Sequence, residues 1–183
     1  DGGSSATVSS KSKSDRCSTG AMETVSIFVD VQNIYYTVKQ QFNCHFDYTV
    51  FWEDVTRGRT LAKAIAYATD RGDERQVRFQ NILKRVGFEV RLKPYVQRAD
   101  GSAKGDWDVG IALDMAEYAK DVDTVILASG DGDFSDAVSM IVRKFGVRVE
   151  VYGVHQLTAN SLIESASSFV SIQGDMLRPI SPT

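Results

Sequence analysis

The sequence predicts an α/β fold, a single three-layer domain with a mostly parallel central sheet flanked by helices. Three observations carry that expectation. SIFV (Ser26 to Val29) and VILA (Val125 to Ala128) are apolar runs without alternation, as strands buried on both faces of a parallel sheet read. Both end abruptly in acidic segments, Asp30 after the first and SGDGD after the second. Between such runs lie apolar stripes of helical period with capping signals, so strands alternate with helices as in βαβ units.

Residues 1–22, rich in Ser and Gly, contribute almost no apolar surface and read as a flexible tail or linker. The domain proper is expected over 23–173, with 174–183, ending LRPISPT, a short C-terminal tail. After SIFV, Asn33 stands before a short helical segment, IYYTVKQQ, where capping alone accounts for it. KAIAYA (63–68) is the next strand candidate. Asp73 is placed as a helix N-cap with Gln76 three residues on, and Phe79, Ile82, Leu83 and Val86 form the stripe that Gly87 closes. FEVRL (88–92) alternates, as a half-covered strand near an edge does, and so does VRVEV (147–151). A helix from about Trp107 to Lys120 packs Ile111, Ala112, Met115 and Ala119. Val138, Ile141, Val142 and Phe145 form a further helical stripe, closed by Gly146.

Composition narrows the functional classes. At 183 residues the chain can bury roughly 70% of its unfolded surface, so its core needs no staple. No stretch approaches roughly 18 consecutive apolar residues, and none near the start reads as a secretory signal, so a cytoplasmic location is the expectation. Two cysteines, Cys17 and Cys44, make neither a disulfide framework nor a four-ligand zinc site. With 21 basic against 24 acidic residues the net charge is −3, which is no footprint for extended nucleic-acid wrapping. Nucleic acid has to be gripped locally. GxGxxG, the P-loop pattern and G-x-S-x-G are all absent, so no nucleotide cofactor or serine nucleophile is expected. Homo-oligomerisation is left open.

Chemistry in such a sheet sits at the carboxyl ends of the strands, beside the point where strand order reverses. Asp30, Asp131 and Asp133 end the two buried runs, and Asp106 and Asp108 open the helix in KGDWDVGIALDM. Like charges brought together raise one another's pKa, and a hard divalent cation resolves the repulsion. Oxygen-only ligation favours Mg²⁺ or Mn²⁺ over zinc, typically shared with substrate phosphates. Each residue also has a blander reading. Asp133 precedes a helix and serves as its N-cap, with Asp136 favoured by the dipole; Asp108 favours its own helix N-terminus. His45 reads as a loop residue, and His155, after VRVEV, as a loop histidine on the same rim.

FVDVQN, KGDWDVGIALD and LASGDGDF resemble the three signature blocks of the NYN domain, in the LabA-like branch of the PIN-like nuclease superfamily. The likeness spans approximately Val25 to Ile172. It implies a Rossmann-like, PIN-like fold with acidic residues around Mg²⁺ or Mn²⁺, and a ribonuclease activity on RNA. By this resemblance Asp30, Asp108, Asp131 and Asp133 are the catalytic and metal-binding set, with Asp114 a further acid. Asn33 and Ser129 fall in the matching blocks as substrate-binding positions. The usual glycine after the first aspartate is Val31 here. Six residues of helix set Asp114 about 120° from Asp108, so the two do not share a face.

The expected reaction is metal-assisted hydrolysis of a phosphodiester in single-stranded RNA regions. Arg98 and Lys104, in the loop leading to Asp108, are the expected phosphate cations, and Tyr95 and Trp107 flank them for stacking, with Trp107 also suited to the core. Two alternatives stand beside it: an RNA-binding or regulatory module of the same fold, and a phosphatase for small esters. A haloacid-dehalogenase-like phosphatase needs an acid at position 32, where this chain has Gln.

Overall fold

The computed structural model describes residues 22–70, 72–94, 96–97, 103–104 and 107–180. Of the expected N-terminal tail only Met22 falls within them. Strand β1 (Glu23–Asp30) leads into helix α1 (Val31–Phe42), followed by β2 (Cys44–Phe46), α2 (Tyr48–Thr56) and β3 (Arg59–Asp70). Helix α3 (Glu74–Val86) and strand β4 (Glu89–Pro94) come next, then the short pair β5 (Val96–Gln97) and β6 (Ala103–Lys104). The second half runs α4 (Asp108–Ala119), β7 (Thr124–Ala128), α5 (Ser135–Met140), β8 (Arg148–Gly153), α6 (Asn160–Ser165), β9 (Ser168–Ser171) and β10 (Leu177–Pro179).

The central sheet has the order β4-β3-β1-β7-β8-β9, and every ladder in it is parallel. The chain winds outward from β1 through β3 to β4, then returns to the other flank of β1 with β7, β8 and β9. This is the doubly wound arrangement, and its order reverses between β1 and β7. Alternate residues of β1 feed opposite layers, as the two-residue period of a strand requires. Ile27 and Val29 pack with Ile34 and Val38 of α1, Phe51 and Val55 of α2, and Leu83 of α3. Phe28 packs with Ile111 and Met115 of α4, Val138 of α5 and Leu162 of α6. Both core runs, SIFV and VILA, are fully buried, as their uninterrupted apolarity predicts.

Several local expectations hold for visible physical reasons. Asp73 accepts the Gln76 N–H at 2.8 Å and caps α3, and Gly87, at φ 135°, ends it with its N–H on Leu83 O. A side chain at Gly87 would also meet the Trp52 ring at 2.6 Å. Helix α4 buries Ile111, Met115 and Ala119 as its stripe dictates.

Other expectations are corrected. VRVEV lies next to the edge strand β9, as expected, but is not half-covered: every residue of β8 after Arg148 is buried. Its alternation comes from Glu150, whose carboxylate is held by the Arg59 guanidinium at 2.8 Å and 3.3 Å. His45 lies in strand β2 rather than in a loop, because β10 pairs antiparallel with it, Arg178 opposite His45. The residues expected as a C-terminal tail are thus part of the fold through Pro179, with Met176 and Leu177 packed on the core. The stripe from Val138 to Phe145 is a helix only to Met140, and Ile141–Phe145 continues as a π-helical turn.

Candidate metal centre

Asp30 is the last residue of β1 and the N-cap of α1, its Oδ1 accepting the Asn33 N–H at 3.4 Å. It is buried, because β3 and β7 flank its strand on both sides. Asn33 is therefore not the cap. It sits in the first turn of α1 and turns its Oδ1 to the Gly130 N–H at 2.8 Å, across to the loop that leaves β7. Ser129, also buried, donates its hydroxyl to Asp30 Oδ2 at 3.2 Å and accepts the Asp131 N–H at the same distance. One hydroxyl thus ties the end of β1 to the turn carrying Asp131.

Asp131 caps a 3₁₀ turn, Gly132–Phe134, by accepting the Asp133 N–H at 2.9 Å. The cap expected of Asp133 belongs to Asp131, since this turn stands between the strand and α5. Asp133 is exposed, and α5 has no side-chain cap. Asp108 opens α4, where the helix dipole favours an anion, and is half-buried.

These elements converge at the switch point. Oxygens of Asp30, Asp108 and Asp131, one from each carboxylate, lie within 4.8 Å of one another. Among the described residues no other three acidic, histidine or cysteine side chains come together so closely. Asp133, placed with these three by the sequence, stays outside the cluster because the turn carries it into solvent.

Asp114 is engaged elsewhere. Its Oδ2 accepts the Arg91 guanidinium at 2.6 Å and the Tyr67 hydroxyl at 2.7 Å, on the flank of α4 away from Asp108. Burial first, then the bond to Asp114, pushes the Tyr67 hydroxyl above its ordinary pKa. Trp107 is a packed residue: its indole N–H donates to Ala68 O at 2.9 Å, and its ring lies 5.3 Å from Tyr67 and 4.7 Å from the Lys93 ammonium. His155 begins a 3₁₀ turn after β8 with its ring 5.9 Å from Phe169. Arg98, Tyr95 and Asp106 lie outside the described residues, as does the side chain of Lys104.

Sequence reasoning passed over Tyr48. Its hydroxyl is buried without a hydrogen-bond partner, and burial raises its pKa, with the Asp30 charge adding to the rise. Nothing in an apolar helix stripe marks such a group.

The donor set suits a hard divalent cation. Three carboxylates crowded at one end of the sheet repel one another, all ligand atoms are oxygen, and the neighbouring Ser129 and Asn33 are neutral. A doubly wound α/β protein with an acidic centre at its switch point is the class that fold and site together define. Within that class the NYN domain pattern matches residues 24–173, and the chain belongs to the NYN domain family, a PIN-like nuclease family. It is similar to low amplitude and bright protein LabA of Synechococcus elongatus, 24% identical over 160 residues that cover 81% of this chain and 83% of LabA. A crystal structure of a protein of unknown function from Vibrio parahaemolyticus matches with a TM-score of 0.82 at 52% sequence identity, over 85% of this chain and 96% of that chain.

Proposed function

We propose that the protein is a metal-dependent ribonuclease that hydrolyses RNA phosphodiesters with Mg²⁺ or Mn²⁺. The observation that carries this reading is the meeting of Asp30, Asp108 and Asp131 within 4.8 Å at the switch point of a nuclease-family fold. These three carboxylates hold the cation. Such an ion lowers the pKa of a bound water and offsets charge on the leaving oxygen. Ser129 fixes the rotamer of Asp30 and the position of Asp131 together. Asn33 locks the Gly130 backbone, and its amide nitrogen supplies the donor for a phosphate oxygen. Arg98 and Lys104, by their position in sequence before α4, supply cations to the strand.

The test is a fluorescent RNA fragment incubated with Mg²⁺, Mn²⁺ or EDTA, beside a chromogenic phosphate monoester. Cleavage of RNA that EDTA stops, without turnover of the ester, is the expected result. Ester hydrolysis alone makes the protein a phosphatase. RNA binding without cleavage in any metal makes it a binding module.

A further inference from the structure

We propose that the exposed flank of α1 is a stacking platform for single-stranded nucleic acid leading to the acidic centre, a role resting on the nuclease reading above. Tyr35 and Tyr36 are 41% and 49% exposed, unusual for adjacent aromatic residues on a helix whose core stripe is Val31, Ile34 and Val38. They are not loose. The Tyr36 ring meets the edge of Tyr35 at 5.3 Å and 75°; Tyr35 in turn lies 6.3 Å from the His45 ring, near parallel, with the Lys39 ammonium 5.6 Å from its centroid. The group is a braced aromatic surface in solvent.

Two things on this surface name its occupant. The first is charge: in a protein of net charge −3, the patch carries Lys39 and, across the β2–β10 ladder from His45, Arg178. The carboxylate of Asp47, two residues after His45, is shared between the Arg178 guanidinium at 3.9 Å and the cap of α2. The second is continuity. Tyr36 follows Asn33 by three residues and so stands on the same side of α1, one turn behind it. From Asp30, six residues carry Tyr36 about 9 Å along the axis of α1 and about 120° around it, so a strand bound at the carboxylates reaches the platform by crossing Asn33. Tyrosine rings beside cations bind unpaired bases without regard to sequence, whereas a duplex offers no free base faces.

The experiment measures binding in EDTA, where cleavage does not intervene, by anisotropy of a labelled oligouridine, the same-length DNA strand and a blunt RNA duplex. Tyr36→Ala is expected to weaken single-strand binding by about five- to one hundred-fold, with Tyr36→Phe close to wild type. Lys39→Gln is expected to lower the salt slope by about 0.7 on single strands. Both positions are exposed, so an unchanged melting temperature is expected to show the variants folded. Unchanged affinity in Tyr36→Ala, duplex binding equal to single-strand binding, or no binding by the wild-type protein each overturns the platform. So does a wild-type dimer that Tyr36→Ala converts to monomer, which makes the face a contact between copies. Binding that behaves as expected in a protein without Mn²⁺-dependent cleavage retains the platform and removes the nuclease reading. Cleavage with unchanged Tyr36→Ala binding does the reverse. Tighter binding of RNA than of DNA shows that the 2′-hydroxyl is read as well.

Discussion

Asn33 Oδ1 accepts the Gly130 N–H at 2.8 Å, fastening the helix that leaves β1 to the loop that leaves β7. The bond joins residues 97 apart in sequence across the gap where the carboxylates meet. Asn33→Ala leaves the buried Gly130 N–H without that acceptor, an expected cost of about 1–3 kcal/mol. It also frees the turn carrying Asp131, so Mn²⁺ affinity falls together with stability. Asn33→Asp keeps the acceptor but adds a negative charge beside the cluster, so it is expected to regain only part of the stability lost in Asn33→Ala. Thermal melts and calorimetric Mn²⁺ titrations of the two variants check this, and equal behaviour of both refutes the bond's role.

Asp30→Asn removes one of three crowded negative charges while retaining an acceptor oxygen for the Asn33 N–H, its amide nitrogen taking the other position and donating to the Ser129 hydroxyl. Apo stability is expected to hold or rise, because repulsion among the carboxylates is relieved. RNA cleavage is expected to vanish. A lowered melting temperature in EDTA assigns Asp30 to structure instead, and a normal cleavage rate removes it from the site.

Asp131 and Asp133 separate cleanly. Asp131→Ala loses a cap and a cluster carboxylate, so a destabilisation of about 1 kcal/mol is expected together with loss of Mn²⁺ binding. Asp131→Ser restores most of the cap but not the metal affinity. Asp133→Ala, at an exposed position, is expected to change stability by less than about 0.5 kcal/mol and to leave Mn²⁺ affinity intact. Weakened binding in Asp133→Ala returns that residue to the centre.

Asp114→Asn tests the other flank of α4. The carboxylate holds Arg91 and the Tyr67 hydroxyl, so its neutralisation is expected to cost about 1–2 kcal/mol through charge-assisted hydrogen bonds. Mn²⁺ affinity is expected to stay unchanged. Urea unfolding and calorimetry read the two quantities separately, and a fall in metal affinity at constant stability contradicts the assignment.

The layers of the fold were legible because the central strands β1 and β7 carry unbroken apolar runs and helix α3 carries its own cap and stop. Asp30 and Asp131 stood out for the same reason: a carboxylate after a doubly buried strand has to face something. What the sequence concealed depends on partners far away. Glu150 makes β8 alternate like a surface strand, and Arg59, 91 residues earlier, holds its carboxylate in the buried position. Residues 44–46 read as loop because their ladder is supplied by Leu177–Pro179 at the far end of the chain. The cap at Asp133 was misplaced by two residues, since a 3₁₀ turn leaves no periodic trace in three residues. Tyr35 and Tyr36 passed for ordinary helix residues until their exposure was seen.

The central place of β1 governs the order in which this protein can come into being. Its two neighbours are made at different times, β3 soon after it and β7 only when the ladder from Val25 to Thr124 can close. During synthesis, an emerging chain that ends at α3 presents SIFV with one flank open, an apolar strand edge of the kind that invites pairing with another chain. The arrival of VILA seals that edge, and the same event delivers Ser129 and Asp131 to Asp30. Neither half of the polypeptide holds a centre of its own, so a nascent protein acquires its acidic cluster only at the moment its most aggregation-prone edge is covered.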